Sequence, residues 1–218
     1  REEDRTRIAN IYARGGFFDA RVVDSSVRTL RERKDGSVAA VKIVHVVEEG
    51  PESLVRDVAV RLEHPAGSPV RLGLQEVQVL EETIEAAITL RSGERFSFAA
   101  VEESEARIRD LLARRAFAFA KVLPEVDAFP EDRSVDVLFR VETGNRAVFG
   151  EVTIAGLSDV LERYVRRHIK LKTGATFDGS KVRATQQAIF KMGTFSLVTV
   201  APDLEATPEV DPQGRSVV

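Results

Sequence analysis

The sequence predicts an α+β fold made of tandem repeats, each with the element order β-α-α-β-β. The first observation is a V-E-x-G segment that occurs at 47–50 and again at 141–144. The second is an L-x-x-G-x-x-F segment that occurs at 90–96 and again at 171–177. The two segments recur in the same order, which indicates an array of similar units rather than one large domain.

The composition is that of a folded protein. Hydrophobic residues make up 43% and charged residues 31% of the 218 residues, whereas a disordered chain would have far fewer apolar side chains. The net charge is −3 with both signs well mixed, which gives no electrostatic basis for binding nucleic acid. The absence of cysteine excludes disulfides and thiolate zinc sites, and it suits an oxidising compartment.

The first repeat, 1–50, is predicted to be partial, with one helix and a strand hairpin. Apolar residues three and four positions apart predict a helix over 2–14, which a glycine pair ends. Aromatic and β-branched residues predict a strand over 17–22. A Lys-Asp-Gly-Ser turn at 34–37 leads to a second strand over 38–47, whose valines and isoleucine alternate. The first strand and first helix of this repeat are missing from the pattern.

The second repeat, 51–144, has the complete order of elements. A strand is predicted over 54–62, and an inserted loop near 64–78 follows, because the third repeat closes the same gap with fewer residues. Apolar residues at helical spacing predict one helix on each side of the L-x-x-G-x-x-F segment. Strands are predicted over 117–126 and 135–141, where apolar residues alternate.

The third repeat, 145–218, follows the same order and stops within its last strand. We therefore expect the native chain to continue beyond Val218. The elements are predicted to be a strand, two helices, a strand and the start of a final strand, at 148–154, 160–169, 182–190, 195–200 and 216–218.

These segments resemble the POTRA domain, the polypeptide-transport-associated repeat that precedes the β-barrel of outer-membrane assembly proteins. The V-E-x-G and L-x-x-G-x-x-F segments match the family, as do the glycine-aromatic segments that begin at Gly16 and Gly193. The middle repeat departs from the pattern with Ala116, where the family usually has glycine. The resemblance implies tandem POTRA repeats of a BamA- or TamA-like assembly factor, each with a three-stranded mixed sheet backed by two helices. In the family, the third strand of each repeat is central in the sheet.

The function that the resemblance implies is that of a periplasmic scaffold without enzyme activity. Unfolded outer-membrane proteins, or partner lipoproteins or periplasmic subunits, are the expected partners, and a C-terminal β-barrel is expected to follow in the same chain. Two alternatives stay open: the POTRA part of a two-partner secretion pore, and that of a cell-division scaffold protein. Tandem copies weigh against the cell-division alternative, because that family typically has a single repeat.

The candidate site is the predicted strand 117–126, which the resemblance places at a sheet edge. Its client-binding residues are predicted to be Phe117, Phe119, Lys121 and Leu123, and an extended client segment is expected to pair with the backbone by β-augmentation. Pro124 supports an edge position, because proline cannot donate to a central ladder. The competing interpretation is that Lys121 and Pro124 protect the edge from association.

Other chemistry has little support in the sequence. His45, His64 and His168 are far apart and have no metal-ligand spacing, so neither a metal nor a cofactor is expected. We expect His45 to be packed or half-buried and His168 to lie at the surface. Two arginine groups, at 109, 114 and 115 and at 163, 166 and 167, suggest contact with lipid headgroups at a membrane surface. The alternative for both groups is a solvated helix face.

Overall fold

The computed structural model describes residues 2–32, 38–63, 72–157, 160–203 and 209–218. Its helices and strands, in chain order, are α1 (Glu2–Arg14), β1 (Arg21–Glu32), β2 (Val38–Glu48), β3 (Leu54–Glu63), α2 (Leu74–Ala87), α3 (Phe98–Arg114), β4 (Lys121–Phe129), β5 (Ser134–Glu142), β6 (Ala147–Val148), α4 (Glu162–Arg166), α5 (Gly179–Phe190) and β7 (Ser216–Val217). No helix in the described part of the chain is long and apolar enough to cross a bilayer.

The first repeat contains the predicted helix and an antiparallel hairpin. β1 and β2 pair from Arg21↔Glu48 to Glu32↔Val38. The prediction that a strand begins at Phe17 is wrong, since β1 begins at Arg21. The aromatic residues belong to a turn, in which the Phe17 amide donates to the Tyr12 carbonyl oxygen over 3.1 Å. The turn predicted at 34–37 lies outside the described residues.

The sheet of the middle repeat has the strand order β3-β5-β4. β3 and β5 run parallel, because Leu54 donates to the Arg133 carbonyl at one end and Thr143 donates to the Glu63 carbonyl at the other. β4 and β5 are joined by one turn of 3-10 helix at Pro130–Asp132 and run antiparallel. The sheet is therefore mixed with the third strand of the repeat at its centre, which confirms the predicted fold class.

The core of the middle repeat follows from the alternation of β5. Every second residue of this strand points inward, and Val135, Val137, Phe139 and Val141 are each no more than 2% exposed. The helices contribute residues at helical spacing to this core. Their fully buried members include Ile84, Ile108 and Leu112. Because β5 buries every second residue and the two helices bury residues at helical spacing, the sheet and the helices pack as two layers.

The segment predicted as an inserted loop, 64–78, is described only in part. Residues 64–71 lie outside the described residues. The remainder contains the start of α2, which begins at Leu74. Gly73 precedes the helix, and its amide donates to the Glu76 carboxylate over 3.1 Å, so the first turn is held by a local hydrogen bond.

The third repeat has less regular structure than the sequence predicts. β6 and β7 pair in parallel, and only Ala147↔Ser216 and Val148↔Val217 take part. The predicted strands 148–154 and 195–200 are wrong beyond Val148. Beyond Val148 the backbone forms single hydrogen bonds, in which the Phe149 amide donates to the Ala175 carbonyl over 2.9 Å and the Gly150 amide donates to the Val218 carbonyl over 2.6 Å. The helix predicted over 160–169 is also shorter, as α4 covers only Glu162–Arg166.

The apolar contacts of the third repeat centre on a small cluster of buried side chains. Ala147, Phe149 and Phe177 form this cluster, and the two phenylalanine ring centroids are 5.1 Å apart. α5 borders it, and its first residue, Gly179, packs against α3, where an added Cβ would lie 2.8 Å from the Ala113 Cβ. The start of α5 and the end of α3 are therefore in close contact.

The chain divides into two compact units, each built from segments that are separate in the sequence. One consists of Arg1–Val58, Thr89–Glu103 and Glu125–Leu138, and the other of Ala59–Ile88, Ser104–Pro124 and Phe139–Val218. The first unit contains the β1–β2 hairpin, and the second contains all of the third repeat. The repeat bounds 1–50, 51–144 and 145–218 stay a prediction.

Candidate functional site

The candidate site lies in β4, which follows the end of α3. The end of α1 has a similar environment and is described first: there the Gly16 carbonyl accepts a hydrogen bond from the Ser53 amide over 2.9 Å. The Ser53 carbonyl in turn accepts from the Phe96 amide, also over 2.9 Å. These two bonds define the first junction. They connect a helix end to the first strand of the next repeat and to its L-x-x-G-x-x-F segment.

The second junction repeats this arrangement. The Ala116 carbonyl accepts from the Ala147 amide over 2.7 Å, and the Ala147 carbonyl accepts from the Phe177 amide over 2.9 Å. Ala116 has a φ of 73°, which is the left-handed conformation that Gly16 adopts at 90°. The departure from glycine in the middle repeat therefore leaves the geometry of the helix end unchanged.

This helix end displaces the start of β4 relative to the prediction. The Phe117 amide donates back to the Leu112 carbonyl over 3.0 Å, and Ala120 donates to Phe117 over 3.4 Å, so 117–120 form a turn. β4 begins only at Lys121. Phe117 and Phe119 therefore lie before the strand, and their assignment to a client-binding strand is corrected.

The two phenylalanines belong to the second junction. Phe117 is 4% exposed, and the Arg146 guanidinium carbon lies 5.4 Å from its ring centroid. Phe119 is half-buried, and its Cβ would lie 3.5 Å from a Cβ added to Gly144 in the V-E-x-G segment. Both side chains help to position the strand that follows, and Phe117 in particular offers little surface to a client.

The other two predicted residues lie in β4 and are exposed. The Lys121 side chain is 71% exposed, and its ammonium is 3.9 Å from the Glu142 carboxylate of the neighbouring strand. Leu123 is 44% exposed. Because the sheet order puts β4 at one end, its outer side has no neighbouring strand within the described ranges. Such an edge can pair with another extended chain.

Pro124 indicates which backbone groups face this edge. Proline has no amide hydrogen, so within an edge strand its nitrogen faces away from the neighbouring strand. Alternate residues direct their backbone groups to the same side of a strand. Val126 and Ala128 therefore direct their N–H groups to the open edge. Neither amide was predicted from the sequence to face the edge, although Pro130 marks where the strand ends.

The opposite edge strand is tied to the centre of the sheet by two charged pairs. Arg56 Nε of β3 donates to Asp136 Oδ1 over 2.8 Å, and Arg140 Nε of β5 donates to Glu63 Oε1 over 3.0 Å. These hydrogen bonds lower the pKa of Asp136 and of Glu63. The pairs are partly exposed and contribute little stability.

The histidines do not form a metal site in the part of the chain that the structure describes. No group of three His, Cys, Asp or Glu side chains there could hold an ion. His45 is half-buried, and its Nδ1 lies 2.8 Å from the Ser25 hydroxyl. His168 is exposed. Both positions agree with the sequence predictions, whereas His64 lies outside the described residues.

Comparison with known sequences identifies a family model that covers most of the chain. The model named POTRA, described as a surface antigen variable number repeat, matches 73–144 and 147–214. The outer membrane protein assembly factor BamA of Neisseria meningitidis is 22% identical over 95% of this chain. A putative outer membrane protein assembly factor of Treponema pallidum is 22% identical over 96% of it. The chain spans about a quarter of each of these relatives, at 24% and 23% of their lengths.

Solved structures with the same fold align with most or nearly all of the chain. The crystal structure of POTRA domains 3 to 5 of Haemophilus influenzae BamA aligns with 99% of this chain and 78% of its own, with a TM-score of 0.65 and 16% identity. BamA of Haemophilus ducreyi lacking POTRA domains 1 to 3 aligns with 75% of this chain and 28% of its own, with a TM-score of 0.51 and 16% identity. At this identity the likeness is one of fold.

Proposed function

This chain belongs to the POTRA family, and on that premise we propose that it is the periplasmic scaffold of an outer-membrane protein that assembles or translocates β-barrel proteins. In this role the open edge of β4 receives extended segments of unfolded outer-membrane proteins, or strands of partner subunits. The observation that carries the proposal is the position of β4 at the end of the sheet order β3-β5-β4.

The backbone of β4 suits a receiver that accepts many sequences. A client strand beside it would donate to the carbonyls of Val122, Pro124 and Val126 and accept from the N–H groups of Val122, Val126 and Ala128. Main-chain pairing of this kind depends little on the client side chains. Affinity is expected to be weak, because ordering an unfolded segment offsets much of the contact energy.

The side chains of β4 limit unspecific pairing. Lys121, Glu125 and Asp127 are exposed charges along the strand, and such charges on an edge strand disfavour association with another copy. The missing donor at Pro124 lowers the number of bonds that any partner can form. These features leave an edge that can bind transiently without forming a permanent sheet.

The test is an NMR titration of the chain with an unfolded peptide taken from an outer-membrane barrel strand. Chemical shift changes should concentrate on β4 rather than on the helices. Ala128→Pro removes one of the N–H groups assigned to the open edge and should weaken binding about tenfold, the effect of one lost hydrogen bond. Ala128 is exposed, so the variant should stay folded, as circular dichroism would check.

Leu123→Thr is the matched control. It changes an exposed side chain of the same strand but leaves every backbone donor in place, so main-chain pairing predicts a much smaller loss. A larger loss with Leu123→Thr than with Ala128→Pro would show recognition through side chains. No binding at millimolar peptide, or shift changes confined to α3, would contradict pairing at this edge and favour the protective interpretation of Lys121 and Pro124.

A further inference from the structure

A second surface, separate from β4, lies around α4 in the third repeat. We define the basic patch as Leu161, Arg163, Tyr164, Arg167 and Lys170, all of which are exposed. Leu161 is 56% exposed and Tyr164 is 43% exposed, which is high for large apolar or aromatic residues. The patch thus combines cations with apolar surface on one short segment, in a chain whose net charge is −3.

The aromatic ring holds two of the cations together. The guanidinium carbons of Arg163 and Arg167 lie 5.1 Å and 5.7 Å from the Tyr164 ring centroid. This is the distance range of a cation–π contact, and it orders two side chains that would otherwise move independently. Neither arginine forms an ion pair with any acidic residue that the structure describes. Arg163 donates one long hydrogen bond, of 3.4 Å, to the Tyr164 hydroxyl, which leaves most of the donors of the two guanidinium groups for an anion.

The second arginine group singled out by the sequence, on α3, is different. Arg109 forms an ion pair with Glu105, and Arg114 forms one with Asp110 at 2.8 Å. Each pair is spaced four residues apart on the helix, so the positive charges of α3 are compensated locally. Arg115 of this group donates to the Thr83 hydroxyl. In the other group Arg166 forms a similar pair with Glu162, whereas Arg163 and Arg167 contact the Tyr164 ring. The structure therefore distinguishes two groups that the sequence leaves equivalent.

We propose that the basic patch binds the phosphate headgroups of anionic phospholipids at a bilayer surface. Guanidinium groups bind phosphate oxygens through paired hydrogen bonds, and clustered cations concentrate at an anionic bilayer. Exposed tyrosine and leucine beside them can enter the interface between headgroups and acyl chains. The inference depends on the periplasmic location that follows from the proposed function, but it is independent of pairing at β4.

The test is co-sedimentation of the chain with lipid vesicles. Vesicles of phosphatidylglycerol and phosphatidylcholine in equal parts should bind the chain, and vesicles of phosphatidylcholine alone should not. Removing two cations with the double substitution Arg163→Gln and Arg167→Gln should weaken binding about 25-fold, at about fivefold for each charge. Raising the salt concentration should weaken binding of the unchanged chain as well, because salt screens the attraction.

The matched control is the double substitution Arg109→Gln and Arg114→Gln. It lowers the net charge by the same amount on another exposed surface and should change vesicle binding less than about twofold. An equal loss in the control variant would show an effect of net charge alone and overturn the proposal. Equal binding to both vesicle types would overturn it too.

An acidic protein segment is the competing occupant of the basic patch. Polyglutamate is a suitable probe, since it has the charge of such a segment and no acyl chains. Binding of polyglutamate that requires Arg163 and Arg167, with no binding of the mixed vesicles, would overturn the membrane proposal and assign the patch to a protein partner. The peptide titration at β4 uses a different ligand and different variants, so failure of either proposal is recognised separately.

Discussion

The two junctions between repeats have the same backbone hydrogen bonds but different residues at the helix end. Gly16 ends the first helix and Ala116 ends the third, and both have a positive φ, of 90° and 73°. At the first junction, a Cβ added to Gly16 would lie 2.6 Å from the Phe96 carbonyl oxygen. At the second junction a methyl group already occupies the equivalent position, and Ala116 is 2% exposed.

The difference shows that the same backbone geometry and hydrogen bonds can form with glycine or with alanine at the helix end. The first junction is packed so closely that only glycine fits. The second junction accommodates a Cβ, and that methyl group contributes to a buried contact. The two junctions should therefore respond in opposite ways to exchange of these residues.

The largest effect is expected from Gly16→Ala. The left-handed conformation costs a residue with a Cβ about 1–2 kcal/mol, and the clash with the backbone at Phe96 adds to this. We expect a loss of more than about 2 kcal/mol in the free energy of unfolding. Chemical denaturation measures this loss, and faster hydrogen exchange of the Phe96 amide should locate it at the first junction.

Gly193→Ala is the control for this variant. Gly193 ends the corresponding helix of the third repeat with a φ of 71°, and no described atom lies within 4 Å of an added Cβ. The conformational cost should therefore appear without the clash, as a loss of about 1–2 kcal/mol. If the two variants are equally destabilised, the close approach to Phe96 has no energetic effect.

The second prediction concerns stability at low pH. Different residues follow Phe96 and Phe177, the two phenylalanines that donate hydrogen bonds at the junctions. Ser97 follows Phe96, whereas Asp178 follows Phe177 and caps α5 by accepting from the Ser180 amide over 2.8 Å. Hydrogen bonds from Ser180 lower the pKa of Asp178. A carboxyl whose pKa is lower in the folded state stabilises the fold above its unfolded pKa, about 3.9, and loses this effect as pH falls through the folded value.

Asp178→Asn separates the charge from the cap, because asparagine also caps helices but does not ionise. The unchanged chain should be more stable than the variant at about pH 7, and the difference should be smaller at about pH 2. Asp178→Ala should cost about 1 kcal/mol at neutral pH. Denaturation at both pH values measures these differences. Ser97→Ala is the control. If its effect on the free energy of unfolding depends on pH in the same way, the pH dependence cannot be assigned to the Asp178 carboxyl.

The sequence predicted the elements whose periodicity is strong. The alternation of β5 correctly predicted four inward residues, from Val135 to Val141. The same alternation in β2 predicted a face but not its burial, since Val41 is 46% and Ile43 is 51% exposed. Periodicity shows which residues share a face of a strand. Whether that face is buried depends on the elements that cover it, and these cannot be read from the alternation itself.

The candidate site was predicted in part. The edge position of β4 agrees with the prediction, whereas the strand does not begin at Phe117. That Lys121 and Leu123 bind a client stays a prediction. The alternating Phe-Ala-Phe-Ala sequence is typical of a strand, but the left-handed residue before it bends the chain into a turn. A left-handed alanine is uncommon, so residue type gave no signal of this turn.

The smallest effect is expected from Ala116→Gly, the reverse exchange at the second junction. Glycine relieves a conformational cost of about 1–2 kcal/mol in the folded state. Two terms oppose this gain: the larger freedom of glycine in the unfolded chain, about 0.4–1 kcal/mol, and the loss of one buried methyl group, about 0.8 kcal/mol. These terms nearly cancel, so the free energy of unfolding should stay within about 1 kcal/mol of the unchanged chain.

Chemical denaturation measures the effect of Ala116→Gly on the free energy of unfolding. The slope of this free energy against denaturant concentration should be unchanged. A loss of more than about 2 kcal/mol would mean that the methyl group of Ala116 packs as a core residue whose removal leaves a cavity. The second junction would then depend on alanine as strictly as the first depends on glycine.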